Sequence, residues 1–349
     1  MRPASGPSRD HGKLMTLDSS GNMDVRSRKD VGLLFEPGDV VVANTAATLP
    51  ASLQGLHVQS GQDIEIRLAG WVEAYDVTRF KAVAFGAGDY RVPTEHRLSP
   101  PTMRPGDRLR LGPLRATVQA VLDHSRLLEL RFQGDRKEIL AGLARHGRPI
   151  QYAYVPKPLE LWDVWTHLAA EPIAFESPSA GFALSWDTLS RWQKRGIAFA
   201  TLSHAAGISS TGDPDLDQRL PLDEPYEIPP RTAAAINKAR LQGNRVIAIG
   251  TTVVRALEAA TCSGCVVRSG LGVARNLIGA STNLCTVDAI VTGVHEHGES
   301  HYELLRAFAD TSVLESMNQR AAAEDFQAHE FGDSMLIERQ ARAKRSQAV

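Results

Sequence analysis

Residues 243–260, GNRVIAIGTTVVRALEAA, decide how the rest of the chain is interpreted. The run of residues 246–249 is wholly apolar and lies between glycines, which is typical of a strand buried on both faces of a parallel sheet. Apolar residues then recur at helical spacing after Thr251 and Thr252, so a helix follows the strand directly. Open α/β sheets usually bind ligands at the carboxyl ends of such strands. The stretch therefore predicts an α/β domain with a ligand crevice beside Thr251 and Thr252.

Arg255 falls in the first turn of this predicted helix. A guanidinium group at that place suits a carboxylate or a phosphate, because its fork of N–H donors matches two oxygens. A structural ion pair is the alternative, and the spacing alone leaves both open.

Composition narrows the class of protein. The chain has 349 residues, which is more than one compact core usually holds, so two domains are expected. Hydrophobic residues make up 43% and charged residues 23%, and no apolar run reaches membrane-spanning length. Three cysteines and a polar start predict a cytoplasmic protein without a disulfide framework or a membrane partner. A formal charge of −1 means that nucleic-acid binding would need a local basic patch.

The character of the sequence changes between about residues 53 and 132. Segments such as DIEIRLAG, RFKAVAF and LRATVQAVL are short and alternating, and turn residues separate them. We therefore predict a main α/β domain at 1–52 and 149–349 and a small inserted β-barrel at 53–148, with 1–30 as a weakly ordered lead-in. The barrel segment holds many arginines among acids, which favours a solvated face over a nucleic-acid surface.

Two polar loops follow predicted strands. The loop at 203–213 supplies His204 and Gly207 among small and hydroxyl residues, which suits close approach of a ligand. The loop at 292–301 holds three histidines, including His295, and two glutamates. Such a cluster could ligate a divalent metal, but acid–base catalysis or anion binding at a helix start is favoured. Cys262 and Cys265 form a CxxC pair that is interpreted as plain reduced thiols, with metal binding left open.

Taken together, several stretches resemble the S-adenosylmethionine:tRNA ribosyltransferase-isomerase family of queuosine biosynthesis. They run in family order from about residue 13 to 338 and comprise PGDVVVANT, PSAG, the stretch at 201–207, YEIP, GNRVIAIGTTVVRALE, VDAIVTG followed by His295, and FGDSML. The resemblance implies a main α/β domain with an inserted β-barrel. It also implies transfer and isomerisation of the ribosyl part of S-adenosylmethionine onto the 7-aminomethyl-7-deazaguanine wobble base of tRNA. That reaction gives epoxyqueuosine and releases adenine and methionine, and no metal or other cofactor is implied.

The resemblance also implies where the site lies. The catalytic candidates are His204, His295 and Asp333. The substrate-binding candidates are Asn44, Thr45, Ser179, Gly181, Gly207, Thr251, Thr252, Arg255 and Gly332. The chemistry needs a base for the acidic ribose carbon beside the sulfonium, which either His204 or His295 could supply. Arg255 suits the methionine carboxylate, and Asp333 suits a ribose hydroxyl or the cap of a turn.

The chain also departs from the family pattern. Ala46, Ala47 and Ser52 stand where the family has basic residues, the usual LHVGAGTF has become LSHAAGISS, and EHGESH replaces a proline-rich segment after His295. The family's opening strand is not recognisable. These departures leave two alternatives open, which are a transferase or lyase acting on a small molecule and a non-catalytic nucleotide- or RNA-binding relative.

Overall fold

The stretch at 243–260 folds as its pattern predicts. In the computed structural model, which describes residues 1–6 and 12–340, Val246–Ile249 is a fully buried strand and Thr251–Ala260 is a helix. Gly250 joins them with φ +92°, a left-handed conformation that favours glycine. Arg255 is the fifth residue of the helix and therefore lies in its second turn, one turn later than predicted.

The secondary structure alternates between strands and helices outside one all-β segment. In chain order, the strands are β1 (Arg2–Pro3), β2 (Lys13–Leu17), β3 (Met23–Ser27), β4 (Val40–Asn44), β5 (Ala46–Thr48), β6 (Ser52–His57), β7 (Gln62–Trp71), β8 (Arg79–Gly86), β9 (Arg108–Leu111), β10 (Leu114–Val121), β11 (Leu127–Phe132), β12 (Glu171–Ala174), β13 (Ala198–His204), β14 (Glu224–Ile228), β15 (Val246–Ile249), β16 (Thr261–Cys262), β17 (Val266–Val267), β18 (Gly270–Ala274), β19 (Ala289–Gly293), β20 (Gln327–Ala328) and β21 (Ser334–Glu338). The α-helices are α1 (Arg136–His146), α2 (Leu161–Val164), α3 (Trp186–Lys194), α4 (Pro214–Asp217), α5 (Pro230–Leu241), α6 (Thr251–Ala260), α7 (Ser300–Leu305) and α8 (Thr311–Ala323). Short 3-10 helices span Arg28–Leu33, Thr94–His96 and Ser179–Ala183.

A nine-stranded sheet forms the centre of the main α/β part, in the order β18-β14-β13-β4-β15-β19-β21-β2-β3. The four central strands β13, β4, β15 and β19 are mutually parallel, whereas β14 runs antiparallel to β13 and β21 runs antiparallel to β19. β2 lies parallel to β21 on its other side. The sheet is therefore mixed rather than purely parallel. Helices α5 and α6 pack their apolar faces onto it, in a core shared with β4 and β15.

A closed barrel forms the second unit, in the order β10-β11-β8-β7-β6-β9. β9 alternates exposed arginines with buried leucines, whereas β7 is buried over most of its length. Helix α1 packs beside it and begins with a capping box between Asp135 and Glu138. The predicted fold class is thus confirmed. The division of the chain at 53 and 148 stays a prediction.

The interpretation of 1–30 as a weakly ordered lead-in is wrong for most of its length. β2 and β3 complete the sheet, and β1 pairs with β20. Leu14, Met15 and Leu17 are fully buried, because β2 lies beside β21 from the far end of the chain. β2 is therefore an opening strand of the sheet. Residues 7–11 of the lead-in and 341–349 of the predicted main domain lie outside the described residues.

The carboxyl ends of the four parallel strands meet at one edge of the sheet. Because β14 and β21 run the other way, their amino ends reach the same edge. That edge carries the candidate site. Across the described part of the chain, no helix has the length and apolar character needed to cross a bilayer.

Candidate active site

Asn44 joins three elements at the carboxyl edge of the sheet. Its amide donates to the carbonyl oxygen of His204 at 2.9 Å and to the hydroxyl of Thr252 at 3.3 Å, while its Oδ1 accepts the N–H of His204 at 3.0 Å. Thr45 donates its hydroxyl to the carbonyl of Leu202 at 3.1 Å. These bonds fix the ends of β4 and β13 against the start of α6. The predicted residues Asn44, Thr45 and Thr252 are therefore brought together, and Thr251 begins the same helix.

A buried ion-pair network lies next to this junction. Oε2 of Glu224 lies 3.0 Å from Nε of Arg255 and 3.3 Å from Nε2 of His204, and Oε1 accepts the N–H of Gly207 at 2.7 Å. Arg255 also donates to the carbonyl oxygens of Ala274, at 3.1 Å, and of two other residues. Glu224 thus connects β14, β13, α6 and the loop after β13.

This network bears on the roles predicted for Arg255 and His204. Arg255 is only 6% exposed and its nitrogens face protein oxygens, which supports the structural ion pair over a direct carboxylate contact. His204 has no exposed surface. Burial lowers its pKa to about 4, against the opposing effect of Glu224, so the imidazole is neutral near pH 7. A fully enclosed imidazole has no route to a substrate atom, and the geometry therefore favours His295 as the base.

Asp333 sits at the opposite side of the same edge. Its Oδ1 accepts the N–H of Lys13 at 2.6 Å and its Oδ2 accepts the N–H of Gln327 at 2.8 Å. Both carboxylate oxygens are therefore engaged by the backbone, which supports the capping role over contact with a ribose hydroxyl. Gly332 precedes it, and a Cβ there would lie 2.3 Å from the carbonyl oxygen of Gln327, so only glycine fits.

A cleft opens between the PSAG segment and the FGD segment. Ser179, Gly293, His329, Glu330, Gly332 and Asp333 contribute to its lining. Gly181 lies two residues further along the 3-10 helix that carries Ser179. The structure therefore brings the predicted residues Ser179, Gly332 and Asp333 to one cleft.

His295 lies beside this cleft, between the side chains of Thr292 and Glu299. Its Nε2 is 2.9 Å from the hydroxyl of Thr292, and its Nδ1 is 3.4 Å from Oε2 of Glu299. Burial acts to raise the pKa of Glu299, but the hydrogen bond and charge of His295, the charge of His329 and the N–H of Glu296 together hold this pKa below its ordinary value. A hydroxyl, an imidazole and an ionised carboxylate in sequence can accept, hold and release a proton.

Stacked aromatic rings border the cleft on its other side. The rings of Tyr152 and Tyr154 are 5.9 Å apart and nearly parallel, and Tyr154 stacks on His329 at 4.4 Å. The Tyr152 hydroxyl is 2.5 Å from Oε1 of Glu176, and the Tyr154 hydroxyl donates to Glu330. His329 has φ +68°, an uncommon conformation for a residue with a side chain. Of this stack, His329 lines the cleft, so its ring is the one on which a heterocycle can stack.

Glu176 makes the stability of the fold depend on pH. Burial raises the pKa of this carboxyl to about 7, although bonds from Ser209 and Tyr152 oppose the shift. As pH rises from about 4.5 through 7, the unfolded chain releases this proton before the folded chain does, so stability falls. We expect Glu176→Gln to match the wild type at pH 5 and to exceed it by about 1–3 kcal/mol at pH 8.

Urea unfolding at the two pH values measures this effect. Glu324→Gln, which changes an exposed glutamate, is the control. Its difference in stability from the wild type should be the same at pH 5 and pH 8. An equal difference between Glu176→Gln and the wild type at both pH values would contradict the proposed cause.

Sequence reasoning missed several of these residues. Glu224 stands two positions before the YEIP stretch, and Glu176 stands directly before the SPSAG loop, so a carboxylate flanking a motif was the available signal in both cases. Tyr152 and Tyr154 alternate within 151–154, which could have indicated two rings on one side of an extended segment.

The metal-binding alternative, left open for the histidine loop and for Cys262 and Cys265, can be compared with the structure. Over 1–6 and 12–340, no group of three or more histidine, cysteine, aspartate and glutamate side chains is placed to hold a metal ion. Cys262, Cys265 and Cys285 are free thiols, and Cys262 donates to the carbonyl of Val266 at 3.2 Å.

An α/β sheet with an inserted closed barrel, and a polar cleft at the carboxyl ends of its parallel strands, defines the class of protein: an α/β protein with the architecture of a ligand-binding enzyme. Within that class, the chain belongs to the family described as "Queuosine biosynthesis protein", whose sequence profile matches residues 2–337.

Relatives and a solved structure agree with this assignment. The chain is 31% identical over 340 residues to the S-adenosylmethionine:tRNA ribosyltransferase-isomerase of Thermus thermophilus, covering 94% of this chain and 93% of that protein. It is 30% identical over 344 residues to the protein of the same name from Deinococcus radiodurans, covering 95% and 90%. The structure of S-adenosylmethionine tRNA ribosyltransferase from Thermotoga maritima covers 96% of both chains with a TM-score of 0.51 and 23% identity, which supports the fold.

Proposed function

We propose that this protein is an S-adenosylmethionine:tRNA ribosyltransferase-isomerase that acts in the cytoplasm. Its substrates are S-adenosylmethionine and a tRNA whose wobble base is 7-aminomethyl-7-deazaguanine, and its products are the epoxyqueuosine-containing tRNA, adenine and methionine. The observation that carries the proposal is the relation, over 94% of the chain, to a protein of that name.

The geometry supports a separate role for each of three groups of residues in the site. The Thr292, His295 and Glu299 chain supplies the base that takes a proton from the ribose carbon next to the sulfonium. Glu224 positions Arg255 and the Gly207 loop at the carboxyl edge of the sheet instead of contacting the substrate. The ring of His329, which Tyr154 supports by stacking and which lines the cleft, offers a flat surface to adenine or to the deazaguanine. S-adenosylmethionine enters as a substrate, and the proposed reaction requires no metal.

A chromatographic assay tests the proposal. The purified protein is incubated with S-adenosylmethionine, with and without tRNA that carries the aminomethyl-deazaguanine base, and free adenine and methionine are measured. We expect release of both that depends on the tRNA. Release without tRNA would replace the proposal with a lyase or a small-molecule transferase, and measurable binding without release under either condition would replace it with a binding protein.

A further inference from the structure

Four arginines project from one outward face of the barrel. Strand alternation buries the leucines of β9 and leaves Arg108 and Arg110 exposed, and it exposes Arg115 of β10 and Arg131 of β11 in the same way. The strand register places Arg110 opposite Arg115, and Thr117 lies opposite both Arg108 and Arg131. We call these four residues, Arg108, Arg110, Arg115 and Arg131, the arginine face.

The arginine face lacks the acidic partners that the sequence suggested. Arg67, Arg79 and Arg97 of the same segment are in ion pairs with glutamates. By contrast, for the four arginines of the face, no carboxylate oxygen from residues 1–6 or 12–340 lies within 4.0 Å of a guanidinium nitrogen. Glu129 also projects outward from β11, but it is bound to Arg79. The glutamates therefore pair with other arginines. Asp76 interacts electrostatically with Arg131 without forming an ion pair, and the face keeps a net positive charge.

The pairing of Arg110 with Arg115 is unfavourable for the barrel itself. Residues directly opposite on antiparallel strands have Cβ atoms about 4.5–5.5 Å apart, and like charges at such positions destabilise the sheet. An exposed pair that weakens the fold, and that has no carboxylate to offset it, is available to an anion from outside the chain.

An open groove adjoins the face. It is lined by Arg131 together with the hydroxyl side chains of Thr78 and Thr117 and the amide side chains of Gln119 and Gln133. Guanidinium, hydroxyl and amide groups are the donors that proteins use on phosphate oxygens, where they position nucleic acid without reading its sequence.

We propose that the arginine face binds the phosphodiester backbone of the tRNA substrate and holds it while the wobble base enters the cleft. This inference rests on the proposed function, since it assigns a surface to the RNA of that reaction. It also accounts for RNA binding by a chain whose formal charge is only −1, because the required cations are concentrated on one side of the barrel.

Binding of a fluorescently labelled tRNA transcript to Arg110→Gln/Arg115→Gln, measured across a potassium chloride series, tests the inference. We expect the affinity at about 100 mM salt to fall roughly tenfold and the slope of log K against log salt to become shallower by about 1.5, as for two lost phosphate contacts. The matched control is Arg231→Gln/Lys238→Gln, which removes two exposed cations from α5 and should leave both quantities unchanged. The melting temperature of the barrel variant should not fall, because the substitution removes a repulsion.

A wild-type affinity and salt slope in Arg110→Gln/Arg115→Gln would overturn the inference, as would equal losses in the α5 control. Failure of the tRNA-binding test can be told apart from failure of the adenine-release test. Wild-type protein that releases adenine with tRNA, combined with unaltered binding by the barrel variant, refutes the arginine face alone. Wild-type protein without tRNA-dependent release refutes the proposed function.

Discussion

Replacement of Glu224 by glutamine is expected to destabilise the protein by about 3–5 kcal/mol, since it leaves the buried cation of Arg255 without its counter-charge. The glutamine has the shape of the glutamate and can still accept the N–H of Gly207, so the loss reports the charge and not a cavity. Guanidinium chloride unfolding of both proteins measures it. A change in unfolding free energy below about 1 kcal/mol would mean that hydrogen bonds to the surrounding carbonyl groups are enough to stabilise the charge of Arg255.

Arg255→Met separates the two roles that the sequence left open for Arg255. If the residue is structural, the double variant Glu224→Gln/Arg255→Met should recover most of the stability lost in Glu224→Gln, because the buried charge is gone. Its affinity for S-adenosylmethionine should then stay close to that of the wild type. If Arg255 instead binds the methionine carboxylate, Arg255→Met should weaken that affinity by about 1.5–3 kcal/mol whether or not Glu224 is present.

Sequence patterns predicted those elements of the fold that a single continuous stretch of the chain specifies. The apolar run of β15 and the helical spacing of α6 come from one stretch of eighteen residues, and the alternation of β9 and β10 signals a barrel strand by strand. β2 was harder because its neighbour β21 begins more than three hundred residues later. Only the complete sheet provides the surface on which Leu14 and Met15 become core residues.

The candidate site likewise contains residues that sequence patterns locate and contacts that only the folded sheet creates. The structure brings Asn44, Thr252 and Ser179 near the carboxyl edge, and each follows or begins an element that the sequence pattern identifies. Their roles as site residues stay predictions. The contacts of Arg255 were not predictable, since they depend on β14 running antiparallel to β13 and so delivering Glu224 to that edge. The same antiparallel strand encloses His204, whose position in a polar loop had favoured a catalytic role. Strand order, which no local pattern encodes, thus decides which polar residues are exposed and which are structural.

His295→Asn is expected to reduce kcat for adenine release by about 10²–10⁴-fold while leaving the affinity for S-adenosylmethionine nearly unchanged, as for loss of a general base. Asparagine keeps a polar side chain beside Thr292 but cannot take up a proton. His297→Asn is the matched control, because His297 lies two residues away in the same loop and is exposed. It should retain wild-type kcat. Equal activity of His295→Asn and the wild type in the tRNA-dependent assay would exclude His295 as the base.

Two further variants show how the proton moves. The hydroxyl of Thr292 occupies the Nε2 side of His295, so a substrate proton reaches the imidazole either after this hydroxyl is displaced or through it. Thr292→Val keeps the shape of the buried side chain and removes only the hydroxyl. A fall in kcat close to that of His295→Asn would show transfer through the hydroxyl, whereas a near-normal kcat would show direct transfer. Glu299→Gln should lower kcat in either case, because the carboxylate orients the ring and stabilises the imidazolium that forms when the proton arrives.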